Sequence, residues 1–395
     1  MSGFLFPNEG VIEWDLLIVI YPFITGLVAG AFIVSSLYHV FGITSLKPVA
    51  RFSLITALSF LLVTPLPLAM HLGRPERALE MFLTPNLQSA MSAFGYIWFF
   101  YLLIVLGEVW LVFRPDIVKY AGTSEGQLKD IYSILALGVY DLSEETLAVD
   151  KKIIKVLAFV GIPTAFLLHG YVGFIFGAVK ANPWWSTPLM PIIFLMSATV
   201  SGIALLLVSY VVMSRIRKAP VDQACLRSLS LWLMGFLTVN VVLEGLEVFT
   251  MFYESEESWT MISQLITQKI GTSYFGVQFI SGAILPLLVL GIVEVIGLGG
   301  NEKTGLRFLA SALVLVGVFA MRWNVVIGGQ LISKSLRGFA SYTPPILGID
   351  GVIVAAMVMA LPLVILAVLM YLIPPFQEEP QPVRREGLRS GSRLR

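Results

Sequence analysis

The sequence predicts an all-α polytopic membrane protein of nine or ten transmembrane helices. Three observations predict it. Hydrophobic residues make up 57% of the 395-residue chain, charged residues only 13%, and the mean hydropathy is +0.86; soluble domains carry about 25% charged residues. The apolar residues gather in recurrent runs of about 20 or more, the length that crosses a bilayer as a helix. Basic residues divide unequally between alternate loops. Inside lipid the backbone must satisfy its own hydrogen bonds, which leaves helices or closed barrels. The weak ten-residue alternation of barrel strands is not the pattern here.

The spans fall at 15–42, 50–71, 94–113, 152–178, 188–213, 228–252, 272–297, 307–332 and 350–373. The segment before them, 1–14, carries Glu9 and Glu13 but no Lys or Arg, so it lacks the basic start of a signal peptide and the first run is expected to be retained. With the N-terminus outside, 18 Lys and Arg lie on inner segments and 6 on outer ones, which sets the N-terminus outside and the C-terminus inside. The inner loop 114–151 contains an amphipathic stretch, Gln127 to Val149, expected to be helical and to lie on the membrane or meet a partner. The tail 375–395 is polar and Arg-rich, suited to anionic lipid.

A weak internal repeat divides the spans. Ser92-Ala-Phe-Gly-Tyr96 enters the third and Ser273-Tyr-Phe-Gly-Val277 the seventh; Trp184-Trp-Ser-Thr-Pro188 precedes the fifth and Ala340-Ser-Tyr-Thr-Pro344 the ninth. Two four-helix bundles, 15–178 and 188–332, would then share one orientation, with 350–373 appended.

Several chemistries can be weighed. The single cysteine, Cys225, excludes an intramolecular disulfide and a four-thiolate iron–sulfur cluster. The formal charge of +1 gives no sign of a nucleic-acid partner. Ionisable groups inside spans are costly and default to function. Toward the outer side lie Asp15, Tyr21, His71, His169, Tyr171, Glu244, Glu247, Gln278, Arg322, Asn324 and Gln330; toward the inner side lie His39, Glu108, Lys155 and Glu294. Glu244 and Glu247 share a helix face, and Arg322 lies at comparable depth on a parallel helix. A buried arginine calls for a carboxylate, so an ion pair with these glutamates is expected, either purely structural or bordering a ligand cavity. A b-type haem needs two histidines at one depth. Of the three present only His71 and His169 could pair, so haem is disfavoured and no metal site is expected. A quinone needs hydrogen-bond donors, a nearby acid or histidine and an apolar pocket, all of which the outer half supplies. A secondary transporter, which also uses repeats and midplane charges, is the competing class, and a b-type cytochrome subunit is a third.

At the outer end of the second span the string His71-Leu-Gly-Arg-Pro-Glu-Arg77, followed by Pro85-Asn86, Ser89-Ala-Met-Ser92, Gly95 and Trp98, resembles the NrfD/PsrC family of polysulfide-reductase-type membrane subunits. Arg322-Trp-Asn-Val-Val-Ile-Gly-Gly-Gln330 and Leu135-Ala-Leu-Gly-Val-Tyr-Asp-Leu-Ser143 resemble its long members, such as the P subunit of Dsr (Hme) menaquinol-oxidising complexes or the membrane subunit of periplasmic uptake hydrogenases. The resemblance covers roughly residues 10–375. It implies two four-helix bundles plus a C-terminal span. It also implies electron exchange between menaquinone and a ferredoxin-like iron–sulfur subunit on the outer face, within a multi-subunit respiratory complex of, for example, sulfur metabolism. The terminal catalytic site would lie on a partner subunit. Long members often have ten spans, against nine counted here. The first span departs from the family's pattern, so the family's quinone contacts are not carried over.

The expected site is therefore assembled from the residues themselves. Tyr21, His169, Tyr171, Arg322 and Asn324 are expected to hold the quinone head, with Asp15 and Tyr21 at the outer mouth. Glu244, Glu247, Glu108 and His39 are expected to move protons. His71, Arg74, Glu76 and Arg77 are expected to dock the electron-transfer partner.

Overall fold

The computed structural model describes residues 5–86, 88–254 and 258–376. The basic tail 377–395 lies outside the described residues. Among them nine helices are long and apolar enough to cross a membrane: α1 Leu16–His39, α2 Thr44–His71, α3 Ala90–Thr123, α4 Glu144–Gly177, α5 Met190–Ile216, α6 Gln223–Tyr253, α7 Thr272–Val295, α8 Gly300–Leu331 and α9 Val352–Leu372. Each coincides with a predicted span. The chain is a polytopic all-α membrane protein. Helices α3, α4, α6 and α8 begin or end several residues beyond their predicted spans, on the face opposite the N-terminus. There the helix leaves the hydrocarbon but keeps its backbone bonds, so hydropathy underestimates its length.

Contacts fix the alternation of the helices. Trp14, before α1, receives a hydrogen bond from Gln330 at the end of α8 and packs on Phe176 at the end of α4. At the other face Ser45, entering α2, meets Ser228 at the start of α6. These two surfaces are called the N-terminal face and the opposite face below.

Helices α1 and α5 cross at the centre, and α1 is buried along its whole apolar length. The crossing is close because Gly26 and Gly30 of α1 face Ala198 and Gly202 of α5; a Cβ on Gly30 would sit 2.6 Å from the Gly202 Cα. Small residues at four-residue spacing let backbones touch, which replaces the hydrophobic drive that lipid cannot supply. Gly282 of α7 and Gly317 of α8 make a second backbone-to-backbone contact. Around the centre, α2, α4 and α8 pack on α1, α3 packs on α4, and α6 and α8 pack on α5, while α9 rests mainly on α2.

Two helices are irregular. In α2 the regular helix stops at Val63 and resumes at Leu66, after Thr64 and Pro65; proline lacks the N–H that would continue the ladder. In α7 residues Thr272–Ile284 are wound as a π-helix, a form that concentrates at functional sites. The amphipathic stretch of the 114–151 loop is not one helix. A helix covers Gly126–Leu135, and the chain then turns through Leu137 and Gly138, both at positive φ, before Ser143 caps α4. The sequence signal missed here is the Gly138 turn.

Candidate functional site at the N-terminal face

Asp15 stands immediately before α1 and is its N-cap. Its Oδ1 accepts the Leu17 N–H at 2.7 Å, while Oδ2 lies 3.2 Å from Nδ1 of His71, the last residue of α2. The N-terminal end of a helix favours a carboxylate, which holds Asp15 in place. The pair borders a cavity of about 550 Å³ whose other walls include Ile12, Glu13, Met70, Tyr342, Pro345 and Asp350. Asp350, just before α9, shares a hydrogen bond with Asp15, which together with partial burial and the Asp15 charge raises its carboxyl above the usual range. Burial and the same Asp15 raise Tyr342. The mouth thus carries an acid pair, an imidazole and a phenol against apolar walls. Some turns deeper along α1 and α9, Phe23, Leu27, Phe319, Met359 and Leu363 line an apolar groove of about 330 Å³.

The residues expected to hold a quinone head lie elsewhere and do not form one pocket. His169 and Arg322 are both fully buried and meet directly, Arg322 Nη2 lying 3.1 Å from His169 Nε2. The guanidinium also donates to Ser197 Oγ at 2.7 Å and to the Phe194 carbonyl at 3.3 Å, and lies 4.0 Å over the Phe194 ring. Asn324 belongs to a separate chain of hydrogen bonds. It donates to Gln278, which donates to Glu244 at 2.8 Å; Asn240 donates to the other Glu244 oxygen, and Ser273 donates to Asn324. The π-helix of α7 presents Ser273 and Gln278 to this chain. Tyr21 is buried edge-on against Phe94, its hydroxyl without a hydrogen-bond partner, and Tyr171 lies tilted against Phe174.

The expected Arg322–Glu244 ion pair is corrected by this geometry: no such pair lies within bonding distance among the described residues. Arg322 meets an imidazole, a hydroxyl, a carbonyl and a π face, its Nε remaining without a partner, and Glu244 is held by two amides. Glu247 lines a small cavity with Thr187 and Trp259. The three histidines lie apart: His71 at the mouth, His169 with Arg322, and His39 at the far end of α1.

Of the residues expected to dock a partner, Arg74, Glu76 and Arg77 are exposed in the loop after α2, and Arg77 forms a bidentate pair with Glu80 at 2.7 and 2.8 Å. That pair holds Glu80 below the usual carboxylate range. His71 belongs to the cavity instead. Sequence reasoning placed both Asp15 and His71 at this depth but did not join them. The signal was available, since one begins the first apolar run and the other ends the second.

The opposite face holds further buried charges, some of which the sequence reading left in loops. Arg51 pairs with Asp116, Arg114 with Asp150, and Glu294 with both Arg227 and Arg307. Arg114 is fully buried, and it also donates to the Asp141 carbonyl.

Comparison with known proteins places this geometry. The family described as "Polysulphide reductase, NrfD" matches residues 6–334. The C subunit of selenate reductase from Mesobacillus selenatarsenatis is 30% identical over 323 residues, 80% of this chain and 73% of that protein. The Hdr-like menaquinol oxidoreductase integral membrane subunit of Archaeoglobus fulgidus is 24% identical over 85% of this chain and 78% of its own. The NrfD homologue of Haemophilus influenzae is 21% identical over 82% and 96%. The match spans eight of the nine helices, from the residues before α1 to the end of α8, and the chain belongs to the NrfD family of polysulphide-reductase-type membrane proteins.

Proposed function

We propose that the chain is the quinone-interacting membrane subunit of a respiratory redox complex, and that menaquinone, as an exchangeable substrate, meets it at the Asp15–His71 cavity. The observation that carries this reading is an acid–imidazole pair opening onto apolar walls at a helix mouth, in a chain related to a menaquinol oxidoreductase membrane subunit. A quinone supplies two-electron, two-proton chemistry. The residues at the mouth fit the proton half of it. Nδ1 of His71 is committed to Asp15, which leaves Nε2 for a head-group oxygen. Asp15 stabilises the imidazolium when His71 takes up a proton. Tyr342 supplies a hydroxyl at the opposite wall, and Ile12, Met70 and Pro345 exclude water from the ring. The groove at Phe23 and Phe319 suits an isoprenoid tail, since Phe23 lies about 12 Å along α1 from Asp15 at 1.5 Å per residue.

Electrons would pass to an iron–sulfur partner of ferredoxin type seated on the N-terminal face, with further redox subunits beyond it. The loop beside the cavity offers Arg74, Glu76, Arg77 and Glu80 among exposed Leu79 and Leu83, a charged rim around an apolar patch. By the loop charges this face is the outer side of the prokaryotic inner membrane. His169, Tyr171, Tyr21, Arg322 and Asn324 then act from below the cavity, fixing the helices that build it. Glu244 and Glu247 form a proton-carrying group within the second bundle.

Titrating the purified chain with a soluble naphthoquinone, read by quenching of tryptophan fluorescence, tests the reading. Saturable binding that Asp15→Asn and His71→Ala each weaken about tenfold or more supports it. Binding that neither substitution alters rejects the cavity as the site.

A further inference from the structure

The most costly unsatisfied group among the described residues lies in the first bundle. Glu108 of α3 is fully buried, and neither of its carboxyl oxygens has a hydrogen-bond partner. A buried polar group left without a hydrogen bond is costly, and ionisable residues inside spans mark proton or ion pathways. Its neighbours show what reaches it. Oε1 lies 3.9 Å from Nδ1 of His39, the last residue of α1. His39 in turn lines a cavity of about 720 Å³ at the opposite face, with Tyr38, Asp116, Glu144, Lys151 and Lys155 among its walls. The imidazole is held by Ser35, whose carbonyl and hydroxyl lie 3.0 and 3.2 Å from Nδ1. Toward the N-terminal face the same side of α3 continues, at seven-residue spacing, through Tyr101 to Phe94. The Tyr101 hydroxyl is buried without a partner, as is that of Tyr21, which packs on Phe94 at 5.1 Å. Tyr21 lies less than two turns below Asp15.

We propose that His39, Glu108, Tyr101 and Tyr21 form a proton-conducting route through the first bundle, from the cavity at the opposite face to the Asp15–His71 cavity. Each step moves a proton only. His39 takes one from water in the lower cavity and passes it to Glu108. Water that enters between Glu108 and the unpartnered Tyr101 and Tyr21 hydroxyls would carry it on, and Asp15 or His71 would receive it. Glu108 is the control point, because it is the fully buried carboxyl on the route. The route deepens the proposed function and rests on it for what the proton is used for.

The test reconstitutes the full-length chain in liposomes enclosing a pH-sensitive dye and imposes a potassium diffusion potential. The expected result is a proton flux above that of empty liposomes, which Glu108→Gln lowers by about tenfold or more and Glu108→Asp partly restores. Flux equal to that of empty liposomes, or unchanged in Glu108→Gln, overturns the route. Should Glu108→Gln fail to assemble, His39→Gln carries the test, and unchanged flux in that variant overturns it equally. Naphthoquinone binding measured on the same preparations separates the two claims. Binding without flux removes the route alone, and flux without binding removes the quinone site alone.

Discussion

The two faces of the molecule treat buried charge in opposite ways. At the opposite face each buried arginine has a carboxylate: Arg51 with Asp116, Arg114 with Asp150, Arg307 with Glu294. In the half nearer the N-terminal face Arg322 has none among the described residues, Glu244 is held by amides, and the Asp15–His71 pair borders a cavity. A charge paired with its opposite holds helices in register and is disfavoured from exchanging its proton. A charge satisfied by neutral groups, or facing a cavity, can still change its protonation or its partner. Charge that staples is thus separated from charge that works, with Glu108 the exception on the stapled side.

The contrast predicts a graded set of responses. Arg114→Ala leaves Asp150 buried and uncompensated and should cost about 3–5 kcal/mol, seen as loss of folded protein or a large fall in melting temperature in detergent. Gly202→Leu should do comparable damage, because the α1 backbone occupies the space a side chain would need; size-exclusion profiles of the purified variant would report it. At the N-terminal face, Asp15→Asn and His71→Ala should cost little stability and weaken naphthoquinone binding about tenfold, the reverse of the Arg114 pattern. If they instead unfold the protein as Arg114→Ala does, the division between faces fails.

A smaller effect concerns pH. Asp350 titrates above its usual value because it shares a hydrogen bond with Asp15. A carboxyl raised on folding adds stability below its unfolded value of about 4, and that contribution is lost as pH rises through its folded value. Asp350→Asn keeps a neutral donor at every pH. Its melting temperature should exceed that of the parent near neutrality and converge with it in acid; a constant difference would contradict the shared proton. The smallest expected effect is at Arg77→Ala. The exposed pair with Glu80 contributes no measurable stability, so the variant should melt like the parent while binding a redox partner subunit more weakly.

The number and order of helices were legible because the hydrocarbon core sets a length that hydropathy reads directly. Which loops carry basic residues was legible for the same reason. The partners of buried charges were not. Arg322 and Glu244 lie at similar depth on parallel helices, and depth is all that a sequence supplies; Gln278, which bonds Glu244, stands on the π-wound part of α7, and that winding leaves no compositional mark. Arg114, Asp116 and Asp150 read as loop charges because helices α3 and α4 continue past the apolar runs that define a span. The Asp15–His71 pair was present in the sequence as two residues at one face, but their meeting depends on α1 and α2 being neighbours, which the break at Thr64 and Pro65 adjusts at the mouth.

The central claim is that the acid–imidazole cavity at the N-terminal face receives the quinone. Photo-crosslinking the purified chain with an azido-naphthoquinone, followed by peptide mapping, tests it most directly. The account predicts label on residues 12–15, 70–71 and 342–350, suppressed by excess unlabelled naphthoquinone and lost in Asp15→Asn. Competable label confined to the opposite-face cavity around His39 and Lys151, with 12–15 and 342–350 clean, would contradict it.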